Sequence, residues 1–131
     1  YVVFFSPLNM LSDSPSNYLR ERESLEFIAG VPTVWDETVP LAGAVGEQVA
    51  VARRAGDVWY VGALTNWESR DMELDLSFLG EGPWTVESFS DGPNAARAAR
   101  DYRREKAALD PSGRLKVHLA PGGGFAARIS R

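Results

Sequence analysis

The feature that most constrains the fold of this chain is a change in its hydrophobic period to two residues, beginning near Thr38. In residues 71–76 apolar side chains alternate with carboxylates, and residues 115–119 and 125–129 repeat the alternation. Alternation of this kind places apolar side chains on one face of a β-strand. The 12 glycines and 8 prolines interrupt such runs at short intervals, which is typical of antiparallel sheets.

The period-two pattern predicts about six or seven short strands. Residues 47–54 and 58–65 flank Ala55-Gly56-Asp57, a connection suited to a β-hairpin. The remaining strands are predicted at residues 71–76, 84–89, 102–109, 115–119 and 125–129, with a tight turn at the GGGF of residues 122–125. The fold class that we predict is therefore mainly β, an antiparallel β-sandwich.

The first 37 residues do not follow the period-two hydrophobic pattern. The YVVFF of residues 1–5 resembles the end of a buried helix, and SPLNML after it resembles a short apolar strand beyond a proline break. Residues 12–16 form a turn cluster rich in capping residues. One helix is predicted from Asn17 to Val31, where Gly30 and Pro32 supply the stop signal.

Composition excludes several classes of function. With 131 residues the chain is sized for one domain. Its net charge of −4 gives no electrostatic reason to expect nucleic acid or an anionic membrane as a partner. Cysteine is absent and His118 is the single histidine, which excludes disulfides, thiol chemistry and ordinary zinc sites. The apolar run at residues 1–5 ends far short of the ~20 residues of a membrane span.

The acidic residues do not predict an active site. Asp36 and Glu37 are adjacent, so on an extended segment they point in opposite directions and are poorly placed to flank one glycosidic bond. We predict a structural role for them at a domain junction. Asp71, Glu73 and Asp75 share the outer face of one strand, and regular spacing along a strand favours a solvated face over a calcium site.

Two further polar features have ordinary explanations. His118 lies between two apolar residues with no serine or acid near it in the sequence, so we expect it to be exposed and not part of a triad. The basic concentration lacks the interleaved aromatic residues of a nucleic-acid surface and is predicted to be a charged surface segment. Its members are Arg97, Arg100, Arg103, Arg104 and Lys106.

Four tryptophans support two hypotheses. Large aromatic residues on strands usually belong to the core, and we expect this of Trp59 and Trp84. Tryptophan rings also stack on sugars, so an independent carbohydrate-binding module is the competing interpretation. Trp67, in the turn-like segment TNWESR, is the ring expected to be exposed. A line of exposed rings on one sheet face would favour the module.

Taken together, the motifs resemble the C-terminal end of glycoside hydrolase family 97, which contains α-glucosidases and α-galactosidases. The resemblance runs through the segments VVFFSPLNMLSDSPSNY, FIAGVPTVWDET, GEQVAVARRAGDVWYVGALTN, LDLSFL, SDGPNA and LAPGGGFAARI. It implies that residues 1–37 are the end of a (β/α)8 catalytic barrel and that residues 38–131 are the C-terminal β-sandwich. On this view Tyr1 is a cut inside the barrel.

The resemblance also limits which roles can be transferred. The family's catalytic carboxylates and its calcium ligands lie on earlier parts of the barrel, so no catalytic or metal-binding residue is assigned here and no cofactor is expected in this chain. Calcium is expected in the parent's catalytic domain. Ser12 and Asp13, near the mouth of the barrel, and Trp67 are the candidate substrate-binding residues. The parent is expected to be a periplasmic or secreted bacterial enzyme.

The function implied is that of an accessory domain that braces the barrel of a glycoside hydrolase and mediates subunit association. Its partners would be the rest of the parent enzyme and a second copy, as a dimer, with carbohydrate as a further ligand. We expect residues 1–31 either to fold back onto the sandwich or to pair with a second chain. The resemblance leaves open whether the parent hydrolyses α-glucosides or α-galactosides, and whether it inverts or retains configuration.

Overall fold

The computed structural model describes residues 1–4, 6 and 10–131. Within these residues, two short helices precede eight strands and a single turn of 3-10 helix. The helices are α1 (Pro15–Arg20) and α2 (Arg22–Gly30), and the 3-10 turn spans Ser77–Leu79. The strands are β1 (Glu37–Ala44), β2 (Gln48–Ala55), β3 (Val58–Thr65), β4 (Arg70–Asp75), β5 (Thr85–Asp91), β6 (Tyr102–Ala108), β7 (Arg114–Leu119) and β8 (Gly124–Ser130).

The strands form two sheets. The larger sheet has six strands in the order β1-β2-β3-β8-β5-β6, and the smaller pairs β4 with β7. Every pairing is antiparallel. The predicted antiparallel β-sandwich is therefore confirmed.

The core lies between the two sheets and follows the alternation of the sequence. The largest fully buried side chains are Leu74, Leu76, Leu119, Ile129 and Val61. Burying a side chain of this size stabilises the fold by about 1.5–3 kcal/mol relative to leaving it in water. The central strands β3 and β8 each contribute alternate residues to this layer, which is why a period of two was visible in the sequence.

The predicted hairpin is confirmed. Strands β2 and β3 pair from Ala55 opposite Val58, and Gly56 in the turn has φ +59°, a left-handed conformation that suits glycine. The other predicted strands are present with ends shifted by at most two residues. The tight turn expected at residues 122–125 lies two residues earlier, where the Gly123 N–H donates to the Ala120 carbonyl, and Gly124 already begins β8.

One strand was not predicted. Strand β1 contains Pro40 and Gly43, two residues that argue against a strand when the sequence is read alone. The strand lies at the edge of the larger sheet, and its register shifts at a bulge between Pro40 and Ala42. Proline is tolerated at an edge because a missing N–H there costs no ladder hydrogen bond.

The single helix predicted from Asn17 to Val31 is wrong, because the chain breaks into α1 and α2 at Glu21. That residue has φ −108° and ψ 56°, outside the helical region. Neither helix has a fully buried side chain, but α2 packs through Phe27 against the larger sheet. The residues around the break are polar, so they make no apolar contacts that would keep the two helices aligned as one.

The predicted helix end at residues 1–5 is also not observed in the described residues, because residues 1–4 have no helical structure. Val2 is nevertheless buried, at 4% exposure, and lies over Gly62 on the outer face of the larger sheet. Half of the short strand predicted for SPLNML, residues 7–9, lies outside the described residues.

Helix α2 and residues 1–4 form a third layer on the outer face of the larger sheet. The Phe27 ring lies 5.1 Å from the Phe89 ring, and the Tyr60 hydroxyl donates to the Gly30 carbonyl at 2.8 Å. The buried guanidinium of Arg53 donates to the Val3 carbonyl at 3.1 Å. Of the two arrangements expected for residues 1–31, the described part adopts the fold-back onto the sandwich.

Candidate functional site

The carboxylates of the WDET segment bind the β2–β3 hairpin. The Asp36 Oδ2 accepts a hydrogen bond from the Gly56 N–H at 2.8 Å, inside the hairpin turn. The Arg54 Nε lies 3.2 Å from Glu37 Oε2, and its Nη1 lies 3.7 Å from Asp36 Oδ2. Both acids therefore have structural partners, which agrees with the predicted junction role.

The negative charge on the acidic face of β4 is partly balanced by a cation on the paired strand β7. Arg114 on β7 lies 3.3 Å from Asp75 and 3.9 Å from Glu73. Hydrogen bonds from Ser77 lower the pKa of Asp75, and the nearby Arg114 charge lowers it further. In the part of the chain that the structure describes, no group of three or more histidine or acidic side chains could hold a metal ion.

The structure brings a serine and an acid to the histidine that appeared isolated in the sequence. Asp71 is directly opposite His118 in the β4–β7 register, and its Oδ1 lies 2.6 Å from the His118 Nδ1. The Ser69 Oγ lies 3.4 Å from the other ring nitrogen. The sequence places no serine or acid near His118, and the fold supplies both from positions distant in sequence, while the expected exposure of the side chain is observed.

This arrangement lacks the environment of a catalytic triad. The Asp71 side chain is 88% exposed, whereas the triad acid is buried so that it fixes and stabilises the imidazole. The Ser69 hydroxyl donates to the Leu119 carbonyl at 3.1 Å, so its proton is directed away from the ring. The three side chains form a polar cross-strand network on the surface. Only the register of strands distant in sequence could have revealed it.

The basic residues divide between a turn region and strand β6. Arg104 reaches three carboxylates: it lies 2.6 Å from Glu87 on β5, 3.6 Å from Glu23 and 3.9 Å from Glu26 on α2. The hydrogen bond that Arg104 donates to the Glu87 carboxylate raises the pKa of Arg104. Tyr102 adds a hydrogen bond from its hydroxyl to Glu23 at 3.2 Å. This part of the basic segment fastens α2 to the sheet.

The tryptophans fall where the sequence predicted. Trp59 and Trp84 are 7% and 9% exposed and belong to the core, and the Trp84 indole N–H donates to the Gly80 carbonyl at 3.1 Å. Trp35 is half-buried against Tyr60, with ring centroids 5.4 Å apart. Trp67 is 87% exposed. One exposed tryptophan out of four is not a line of rings, so the aromatic arrangement favours the bracing domain.

The candidate residues Ser12 and Asp13 lie just before α1 and are exposed. The Asp13 Oδ1 accepts from the Ser14 N–H at 2.6 Å and from the Asn17 amide at 2.8 Å, and these bonds lower the pKa of Asp13. Trp67 lies in the loop between β3 and β4, and no described contact joins it to either residue.

No helix in the described ranges is long and apolar enough to cross a membrane.

The comparisons with known proteins agree with this architecture. The profile of the family described as "Glycosyl-hydrolase 97 C-terminal, oligomerisation" matches residues 34–130. A retaining alpha-galactosidase of Bacteroides thetaiotaomicron is 59% identical over 98% of this chain and 20% of its own length. A probable retaining alpha-galactosidase of Streptomyces bingchenggensis is 31% identical over 96% of this chain and 19% of its own length.

Solved structures show the same relationship. A Glycoside Hydrolase Family 97 enzyme from Pseudoalteromonas sp. strain K8, in complex with acarbose, superposes with a TM-score of 0.91 at 37% identity, covering 98% of this chain and 21% of that one. A beta-arabinopyranosidase superposes with a TM-score of 0.76 at 27% identity, covering 93% of this chain and 19% of that one. The chain thus spans about a fifth of the length of the relatives it matches, and it belongs to the glycosyl-hydrolase 97 C-terminal family.

Proposed function

We propose that this chain is the C-terminal part of a retaining α-galactosidase, in which it braces the catalytic barrel and mediates association between subunits. The observation that carries the proposal is the third layer: residues 1–4 and α2 cover the outer face of a sheet whose inner face already has its own core. A sheet covered on both faces, with one cover made of short non-strand segments, is the arrangement expected where a sandwich meets another domain. The 59% identity with a retaining alpha-galactosidase supports the choice of substrate.

The proposed domain division follows the resemblance. Residues 1–37 are the end of a (β/α)8 barrel and residues 38–131 are the sandwich. The family profile begins at residue 34 and strand β1 at residue 37, which supports a boundary there. On this division, the Asp36 hydrogen bond to the hairpin turn and the Arg104 ion pairs with α2 are contacts between the two domains.

The proposed division of labour leaves the chemistry to the remainder of the parent enzyme. The catalytic acid, the nucleophile and a calcium ion belong to the barrel, outside this chain. Asp36 and Glu37 have structural partners here, which supports a non-catalytic role for both. Ser12 and Asp13, exposed before α1, are proposed to lie near the mouth of the barrel, where the loops after its strands form the active site.

The test compares the parent enzyme with this chain. We expect the parent to hydrolyse p-nitrophenyl α-galactoside with retention of the anomeric configuration, followed by proton NMR, and the 131-residue chain to show no turnover with calcium present. We also expect Asp36→Asn and Glu37→Gln to leave the parent's kcat within about twofold of its original value. Turnover by the chain alone that disappears in Asp36→Asn would refute the proposed division.

A further inference from the structure

Three loops meet at the end of the sandwich opposite the Asp36 junction, and Asn66 ties them together. Its N–H donates to the Glu47 carbonyl at 2.8 Å and its side-chain amide to the Gly46 carbonyl at 3.2 Å, both in the β1–β2 turn. Its own carbonyl accepts from the Gly122 N–H at 2.7 Å, in the β7–β8 turn. Because these bonds fix the loops to one another, this end has a defined shape before any partner binds.

This end displays several exposed apolar side chains. Val45, at the tip of the β1–β2 turn, is fully exposed, and Leu64 at the end of β3 is partly exposed. Trp67 lies close over the β7–β8 turn, where a Cβ on Gly122 would come within 3.0 Å of the Trp67 Cζ3. We call Val45, Leu64 and Trp67 the loop-end patch. An exposed tryptophan on a rigid base is the kind of residue that dominates binding energy at protein interfaces.

The charges beside the loop-end patch are largely balanced. The Arg70 Nη2 lies 3.2 Å from Glu47 and 3.0 Å from Glu68. With one cation between two carboxylates, two copies of this surface can approach each other without strong like-charge repulsion. Arg70 is only 20% exposed and already pairs with both carboxylates of its own chain, so each copy brings a single net negative charge to such a contact.

The other surfaces that could mediate pairing are less suitable. The free edge of β6 carries Arg103, Arg104, Glu105 and Lys106, and the free edge of β1 is interrupted by Pro40 and its bulge. Charges, proline and bulges are the features that protect sheet edges from pairing. The outer face of the larger sheet is covered by α2 and residues 1–4. Val45 and Trp67 of the loop-end patch stay largely exposed.

We propose that the loop-end patch is the surface through which two copies of this chain associate, with Trp67 near the two-fold axis. The inference rests on the proposed function in subunit association, which the oligomerisation family supports. The pre-organised loops reduce the entropy cost of binding. Three apolar side chains make a smaller interface than the ~800 Å² per partner of a standard complex, so pairing of the isolated chain is expected to depend on concentration.

The experiment is sedimentation velocity on the 131-residue chain over a wide concentration range, with three variants. Trp67→Ala is expected to weaken self-association by about tenfold or more. Val45→Ser is expected to weaken it several-fold, whereas Val34→Ser is expected to leave it unchanged. Val34 is the matched control because it is 75% exposed at the opposite, junction end of the sandwich. Unchanged melting temperatures in all three variants would show that the fold is intact.

The outcomes separate a failure of the loop-end patch as the contact surface from a failure of the proposed function in subunit association. If the chain associates but Trp67→Ala and Val45→Ser associate as well as the original chain, the loop-end patch is wrong while the proposed function survives. If no association is seen at any concentration, the proposed function in association fails together with its surface. If Trp67→Ala still associates but loses affinity for melibiose or maltotriose in a calorimetric titration, the ring is a sugar platform and the proposal is overturned.

Discussion

Gly62 on β3 lies directly beneath Val2, so closely that a Cβ on Gly62 would come within 2.9 Å of the Val2 Cβ and of the Val3 Cγ2. The absence of a side chain at this position lets residues 1–4 lie flat on the sheet. The contact of the third layer with the sandwich therefore depends on this glycine as well as on the rings of Phe27 and Phe89.

Gly62→Ala is expected to destabilise the chain by about 1–3 kcal/mol, because the added methyl overpacks a tight contact and must displace Val2. Urea denaturation measures the change. The control is Gly43→Ala in β1, where a Cβ would meet nothing within 4 Å. That substitution should be neutral or slightly stabilising. Equal effects of the two substitutions would mean that residues 1–4 do not rest on Gly62 in solution.

Trp59→Ala is expected to cost about 3–5 kcal/mol, because it leaves a large cavity between the sheets. In a domain of ordinary stability this loss threatens folding itself. Trp67→Ala is the control, since an exposed side chain outside the core changes stability by about 0.5 kcal/mol or less. Thermal unfolding followed by circular dichroism compares them. A Trp59→Ala chain that melts with the original would contradict the core assignment.

Gly123 and Asp91 are expected to be coupled. The Asp91 Oδ2 accepts from the Ala120 N–H at 2.8 Å and the Gly124 N–H at 3.1 Å, and a Cβ on Gly123 would overlap that oxygen. Gly123→Ala should therefore displace the carboxylate and leave two turn N–H groups without their acceptor, which costs about 1–3 kcal/mol. Denaturation measures the free energy of unfolding.

The coupling is tested by a double-mutant cycle with Asp91→Ala. Because either substitution breaks the same contact, the double variant should lose less stability than the sum of the two single variants. Strict additivity would show that Asp91 does not occupy the space above Gly123.

The lowered pKa of Asp75 predicts a pH dependence of stability. Its ordinary value is 3.8, and the Ser77 hydrogen bonds and the Arg114 charge lower it in the folded chain. A group whose pKa is lower when folded stabilises the fold above its unfolded pKa and loses that contribution as the pH falls through the folded pKa. The gap in stability between the original chain and Asp75→Asn should thus be widest near neutral pH and shrink below about pH 3.8. A gap that stays constant down to pH 2.5 would contradict this.

Much of the sandwich could be predicted because its signals are local. The alternation in residues 115–119 and the Ala55-Gly56-Asp57 connection each report on a few neighbouring residues. Strand β1 escaped prediction because Pro40 and Gly43 have poor strand propensity, and what permits them is an edge position that only the assembled sheet defines. The break at Glu21 escaped for a related reason, since α2 is positioned by the contact of Phe27 with Phe89 on the sheet, which only the assembled fold defines.

The polar surface was the least predictable part. The network of Ser69, Asp71 and His118 depends on the β4–β7 register, which joins residues 47 positions apart. The loops gathered by Asn66 come from three separate turns. The sequence indicated that Trp67 would be exposed, but the turn that supports its ring could not be identified before the fold was known.

The most direct test of the account is the mass of the 131-residue chain by sedimentation equilibrium at rising concentration. The account predicts a reversible shift from the 14.4 kDa of one chain toward twice that mass. It also predicts that Trp67→Ala weakens the shift, because this ring is the largest side chain of the loop-end patch. A mass that stays at one chain throughout the concentration range would contradict the central claim that this domain associates with itself.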